Sequence, residues 1–383
     1  MSYLGNSAVN RVNLHTGIFA FAMAAGGIFF TAVMLKAGLS LPMAMVAQAL
    51  AFIVRFIIRP AILPLGKRLG LKPLVMAGTI GMGLHYPLLP HIAGFGPVLW
   101  LVLAIMAVAE VLYWPAYHAY FATLGDVEAR GRQIAAREAL SAIVGIVAPL
   151  LGTWALVAAG PNVAFIGVAI IQLCAVLPLL GLPNVPVIAE ARGVLRAARF
   201  SAVLLALDGW YGASALLWQG VLFLVLSQSY GAYGGAMALA GLVGAAYGLF
   251  VGRNIDAGRG RGAVALAFSV AGAVVVFRAA SASLPWLAVI ANAAAAIVQP
   301  LYMPVLGTAT YNLARTAPCS LRFYIALDGG WDVGCAAGCL VAAGLIAAGA
   351  PVALALLLPL PALAAAAWLL QRYYGSVAIG SRS

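Results

Sequence analysis

The chain has 383 residues, 65% of them hydrophobic and only 8% charged, with a mean hydropathy of +1.07. A soluble domain covers its surface with about 25% charged residues, so this composition excludes one and points to the lipid bilayer. The net charge of +12 does not indicate nucleic acid, because the basic residues fall in short loops on one side of a predicted membrane.

The N-terminal "MSYLGNSAVNRVNLHTG" is polar and has no short apolar core followed by small residues, so no cleaved signal peptide is expected. From there, apolar stretches long enough to cross a bilayer recur, each of about 20 residues. They predict an all-α polytopic protein of twelve spans: 15–36, 41–65, 72–91, 97–122, 139–159, 162–182, 201–226, 231–251, 262–280, 285–312, 323–348 and 350–371. The longest breaks are 123–138 and 183–200. The second of these reads as a linker between an N-terminal six-helix bundle, 1–182, and a C-terminal one, 201–383. Of the cysteines, Cys174, Cys335 and Cys339 fall in spans and Cys319 in a loop, a pattern that supports neither disulfides nor a metal site.

Twelve spans place both termini on one side. That side collects seventeen basic residues, among them Arg11, Lys67, Arg68, Lys72, Arg196, Arg199 and Arg372, while the opposite side holds only Lys36 and Arg278. Cytoplasmic loops carry the excess of Lys and Arg, so both termini are expected in the cytoplasm. The lean loops suggest a bacterial inner membrane, and a monomer is expected.

Two segments echo each other. "AEVLYWPAY" begins at Ala109 and "VQPLYMPVL" at Val298. Glu110 and Gln299, Tyr113 and Tyr302, Pro115 and Pro304 are separated by the same offset, which maps the fourth span onto the tenth. The offset also maps "LPLGKRLGLKP", 63–73, onto "GRNIDAGRGRG", 252–262. These loops follow the second and eighth spans, as expected for a duplicated six-helix unit.

Both loops resemble the signature loop of the major facilitator superfamily, G-x-x-x-D-R-x-G-R-R. Arg68, Gly70 and Lys72 match in the first copy, where Lys67 replaces the aspartate. Gly252, Asp256 and Arg261 match in the second. The resemblance implies two pseudo-symmetric six-helix bundles, a transport function by alternating access and a cavity between the halves. It also implies loops that latch the halves together when the cytoplasmic side closes. With Lys67 in place of the acid, one expectation is an exchanged pair of Lys67 with Asp328; the other leaves Lys67 against lipid headgroups. "GIVAPLLG", starting at Gly145 on the fifth span, resembles a glycine–proline motif of drug–proton antiporters and also fits close helix packing at small residues.

An ionisable group at bilayer depth costs at least ~2.5–3.5 kcal/mol on insertion scales. Six such residues stand out: Arg55 and Arg59 on the second span, Glu110 on the fourth, Asp208 on the seventh, Asp328 and Asp332 on the eleventh. None lies on the third, sixth, ninth or twelfth spans, which face lipid in the superfamily. At ~1.5 Å per residue, Arg55, Glu110 and Asp332 reach toward the midplane. Arg59 is shallower and could snorkel; Asp208 and Asp328 lie nearer the cytoplasmic end. Arg55 is the expected counter-charge of Glu110, either as a static pair or as part of a group that takes and releases a proton. Gln299, its counterpart, cannot titrate.

Tyr113 and Trp114, Tyr302, and Trp331 accompany these charges at depth, a composition suited to an amphiphilic or anionic organic solute. His85, His91 and His118 read as packing or interface residues. The chain has no phosphate-binding glycine loop and no clustered catalytic set. The expected activity is therefore secondary transport of a small molecule coupled to protons, with no cofactor. Facilitated diffusion on the same fold and a membrane-embedded lipid-modifying enzyme are the alternatives.

Overall fold

A computed structural model of the chain describes residues 7–124, 130–187, 193–254 and 260–380. Within them, hydropathy dictates architecture. Ten helices are long and apolar enough to cross a membrane, and a shorter apolar stretch, Ala142–Ala158, adds an eleventh. Residues 71–91, a helix followed by a 3-10 turn, complete twelve among the described residues. We number them α1 (Ser7–Lys36), α2 (Leu41–Leu69), α3 (71–91), α4 (Pro97–Leu124), α5 (Arg130–Ala158) and α6 (Gly160–Leu180). The second six are α7 (Val194–Val225), α8 (Tyr230–Asn254), α9 (Gly260–Ser281), α10 (285–316), α11 (Ser320–Ala347) and α12 (352–380).

Several helices extend beyond the apolar windows of the sequence. α7 starts at Val194 rather than 201, because the turn containing Arg196 and Arg199 is helical although polar. Asp208 consequently sits mid-helix, not near the basic end as its place in the sequence suggested. Breaks occur where the backbone loses a donor or a side chain. Pro60 follows Arg59 in a 3-10 turn of α2, since proline supplies no amide hydrogen. Gly26 and Gly27, which keep their amide hydrogens but have no side chain to restrict the backbone, mark the 3-10 turn Gly27–Phe29 of α1.

The halves meet along two seams, α2 against α11 and α5 against α8. Small residues make both close. A Cβ at Gly241 of α8 would collide with the carbonyl of Gly145 on α5, and one at Gly152 with the carbonyl of Ala25 on α1. The "GIVAPLLG" stretch thus serves helix packing on two sides. Within the second half, Gly330 and Gly334 let α11 lie on the backbone of α7 at Ala202 and Ala206. The halves touch at the end rich in basic residues, hereafter the basic end, where His118 of α4 stacks on Tyr324 of α11 at 5.2 Å. They also touch at the far end, where the Tyr233 hydroxyl of α8 donates to the Ile28 carbonyl of α1 at 3.1 Å.

The loop between α2 and α3 is pinned to its own half. Gly70 has φ +81°, a conformation glycine adopts without strain. Its neighbours are tied to the segment after α6. Asn184 Nδ2 donates to the Leu69 carbonyl at 2.8 Å, and Lys72 Nζ donates to the carbonyls of Leu180 and Leu182. Gly66 lies against Leu321 of α11. Lys67 and Arg68 are exposed. In the second copy, Arg261 is exposed and Gly252 falls in the last turn of α8; Asp256 lies outside the described residues.

Candidate functional site

The spacing of charges on three helices makes one site. Arg55 and Arg59 are one turn apart on α2, and Asp328 and Asp332 are one turn apart on α11, so each pair shares a face. The two helices run antiparallel across the seam, and the pairs meet in register. Arg59 Nε donates to Asp332 Oδ2 at 2.8 Å, and its Nη2 also reaches that oxygen. Its Nη1 lies 3.4 Å from Asp328 Oδ2. Arg55 Nη2 is 2.9 Å from Asp332 Oδ1, an ion pair whose alignment falls short of a hydrogen bond. Arg55 Nη1 pairs with Glu110 on α4, and its guanidinium lies 5.0 Å from the Phe52 ring.

Five charges are thus fused into one cluster: Arg55, Arg59 and Glu110 from the first half, Asp328 and Asp332 from the second. Asp332 is fully buried and Arg59 is 2% exposed. Buried charges survive only when paired and hydrogen-bonded, and removing one partner of such a pair typically costs about 3–5 kcal/mol. The cluster corrects two expectations. Arg59 does not snorkel to the headgroups, because Asp332 and Asp328 hold it inside. Asp328 does not meet Lys67, because its carboxylate is turned to Arg59. A groove of about 620 Å³ between α2, α7 and α11 adjoins the cluster, with Phe56, Ile57, Arg59, Arg199, Val203 and Gly329 among its lining residues.

The remaining expected residues lie elsewhere. Tyr113 is buried inside the first half, stacked on Phe19 at 4.3 Å. Its hydroxyl is 3.0 Å from His15 Nε2, while His15 Nδ1 is 2.7 Å from the Ala175 carbonyl. A carbonyl only accepts, so Nδ1 donates and Nε2 is left to accept from the tyrosine. Trp114 stands edge-on to Tyr113, ring centroids 5.0 Å apart. In the second half the Tyr302 hydroxyl donates to Asp208 Oδ1 at 2.9 Å, and Cys335 Sγ donates to the Gly209 carbonyl. Trp331 packs on Gly212. Gln299 is exposed and does not join the ion cluster.

Two residues have partners that the sequence did not show. His15 stands at the very edge of the first apolar window. Arg278, read as one of the two basic residues of the outer side, occupies the last turn of α9, half-buried, 5.3 Å from the Trp218 ring. Trp218 Nε1 in turn donates to Asn292 Oδ1 at 3.1 Å.

This arrangement of two six-helix halves with a charged seam agrees with the sequence comparison, in which residues 14–318 match the Major Facilitator Superfamily. The chain belongs to the Major Facilitator Superfamily. Its fold is similar to that of the crystal structure of the human organic anion transporter MFSD10 (TETRAN). The TM-score is 0.66 at 17% identity, covering 95% of this chain and 99% of that one. No curated protein matches the chain in sequence. As a major facilitator, the protein is a multi-pass membrane transporter, and its α2–α11 seam holds the ion cluster described above.

Proposed function

We propose that this major facilitator moves a small organic solute, amphiphilic or anionic, across the cytoplasmic membrane by alternating access, and that it is coupled to protons. Both termini and the basic end face the cytoplasm in this reading, as the seventeen-to-two distribution of basic residues requires.

The ion cluster carries the proposal. Three carboxylates face two arginines, so the fully ionised cluster has a net charge of −1. A charge left uncompensated at this depth costs at least ~2.5–3.5 kcal/mol, and one bound proton removes it. Opening the basic end pulls α2 from α11 and admits water. Arg55 then keeps Glu110, which belongs to its own half, while Asp332 and Asp328 leave with the other. The hydrated cluster no longer needs the proton. Proton occupancy and the closed seam are thereby linked.

An anionic solute is in keeping with the fold's likeness to a human organic anion transporter. The test is flux into proteoliposomes of a fluorescein-class carboxylate under an imposed pH gradient. Accumulation above the outside concentration, collapsed by a protonophore, is expected. Equilibration to the same level with and without the gradient would favour facilitated diffusion instead. Sidedness is checked with Val187→Cys, expected to label from the cytoplasm only, and Ser283→Cys, expected to label from outside only.

A further inference from the structure

Resting on the proton-coupled reading, we infer that the cluster's proton sits on Asp328, and that its departure releases the cytoplasmic end of the α2–α11 seam. The three carboxylates are not held alike. Asp332 is gripped by both arginines, and Glu110 pairs directly with Arg55. Asp328 has one contact, 3.4 Å from Arg59 Nη1. Charge-assisted N–H···O bonds run ~2.7–2.9 Å, so Asp328 is the carboxylate least held by a cation. Asp328 is also one turn nearer the cytoplasm than Asp332. Its side chain is 13% exposed, against 0% for Asp332 and 15% for Glu110, and of the two exposed acids Asp328 has the longer contact with its arginine.

The surroundings supply no second cation within ion-pair distance among the described residues. Arg59 and Arg55 face it from α2 and Asp332 from its own helix. Asp208 on α7 is engaged by Tyr302 of α10. His118 of α4 stacks on Tyr324, a turn closer to the cytoplasm, and Arg322 lies further along α11. With Asp328 neutral, Arg55, Arg59, Glu110 and Asp332 balance two against two, and the dry seam is electroneutral. Loss of the proton leaves −1 in the seam, and separation of α2 from α11 hydrates it. Low pH therefore favours the closed cytoplasmic end and high pH the open one.

The test needs no solute. Spin labels are placed on cysteines at Arg68, the end of α2, and Arg196, the start of α7, both exposed; the exposed Cys174 is replaced by serine. Pulsed electron resonance then reads the distance across a pH series in lipid nanodiscs. The wild-type background should show the distance increase as pH rises. Asp328→Asn should lose that increase and stay closed, because the cluster is balanced without a proton. Asp328→Glu should keep it with a moved midpoint, and should move it further than Glu110→Asp does. A pH-independent distance in the wild type would overturn both this assignment and the proton-coupled reading. A pH response that persists in Asp328→Asn, or a midpoint that moves no further with Asp328→Glu than with Glu110→Asp, would overturn the assignment alone.

Discussion

The two halves place a tyrosine at the same point of the same helix and give it different work. Tyr113 of α4 hydrogen-bonds His15 of α1; Tyr302 of α10 donates to Asp208 of α7. In both halves, then, the fourth helix reaches the first through a phenol two residues before a proline. Three residues earlier in the repeat the halves separate. Glu110 pairs with Arg55, whereas Gln299 is exposed and outside the ion cluster. Across the seam the first half contributes both arginines and the second half two of the three acids. Duplication accounts for the scaffold, and the division of charge across it accounts for a seam that senses its own opening.

Removing a cation should break this division most severely. Arg59→Gln leaves three carboxylates with one arginine, so folding yield should collapse, at a cost of about 3–5 kcal/mol, read by size-exclusion recovery and thermal unfolding in detergent. Glu110→Gln should be milder than a lone pair would suggest. Arg55 still has Asp332 at 2.9 Å, so the protein should fold while losing accumulation driven by the pH gradient; full pH-driven accumulation would remove Glu110 from the mechanism.

The paired tyrosines sharpen the comparison further. Tyr302→Phe deprives the buried Asp208 of its donor and should cost about 1–3 kcal/mol, the penalty of leaving a buried acceptor unsatisfied. Tyr113→Phe, which touches a histidine, should cost about 0.5–1.5 kcal/mol. Equal losses in thermal unfolding would show that the two phenols do the same work. The smallest effect belongs to Lys67→Gln. Its side chain is exposed and Asp328 is bound to Arg59, so stability should stay within about 0.5 kcal/mol of wild type.

Much of this was legible in the sequence, for physical reasons that also set the limit. Lipid demands uninterrupted apolar helices, so the twelve spans can be read from hydropathy. Cost at depth isolates Arg55, Glu110 and Asp332, and depth alone suggests that the first two meet. The register between α2 and α11 is different. It depends on glycines such as Gly330 and Gly334, which set how α11 lies on α7, and a single sequence does not state which helices touch. Arg59 therefore read as a snorkelling residue and Asp328 as a partner for Lys67. Helix ends failed for a related reason. The amphipathic turn at Arg196 and Arg199 and the segment before His15 are polar, so an apolar window ends too early and misplaces Asp208 and His15.

The central claim is that three carboxylates share two arginines, with one carboxylate neutral. A mutant cycle on Glu110→Gln and Asp328→Asn, followed by thermal unfolding at neutral pH, tests it most directly. Either change alone leaves two acids for two arginines, so each should be tolerated. Together they leave one acid, Asp332, for both arginines. The double variant should then lose more than the sum of the single losses, by a coupling of about 0.5–3 kcal/mol, the sign of a newly unmatched buried cation. Losses that simply add would contradict the account, because they would mean that the carboxylates are held independently and share no proton.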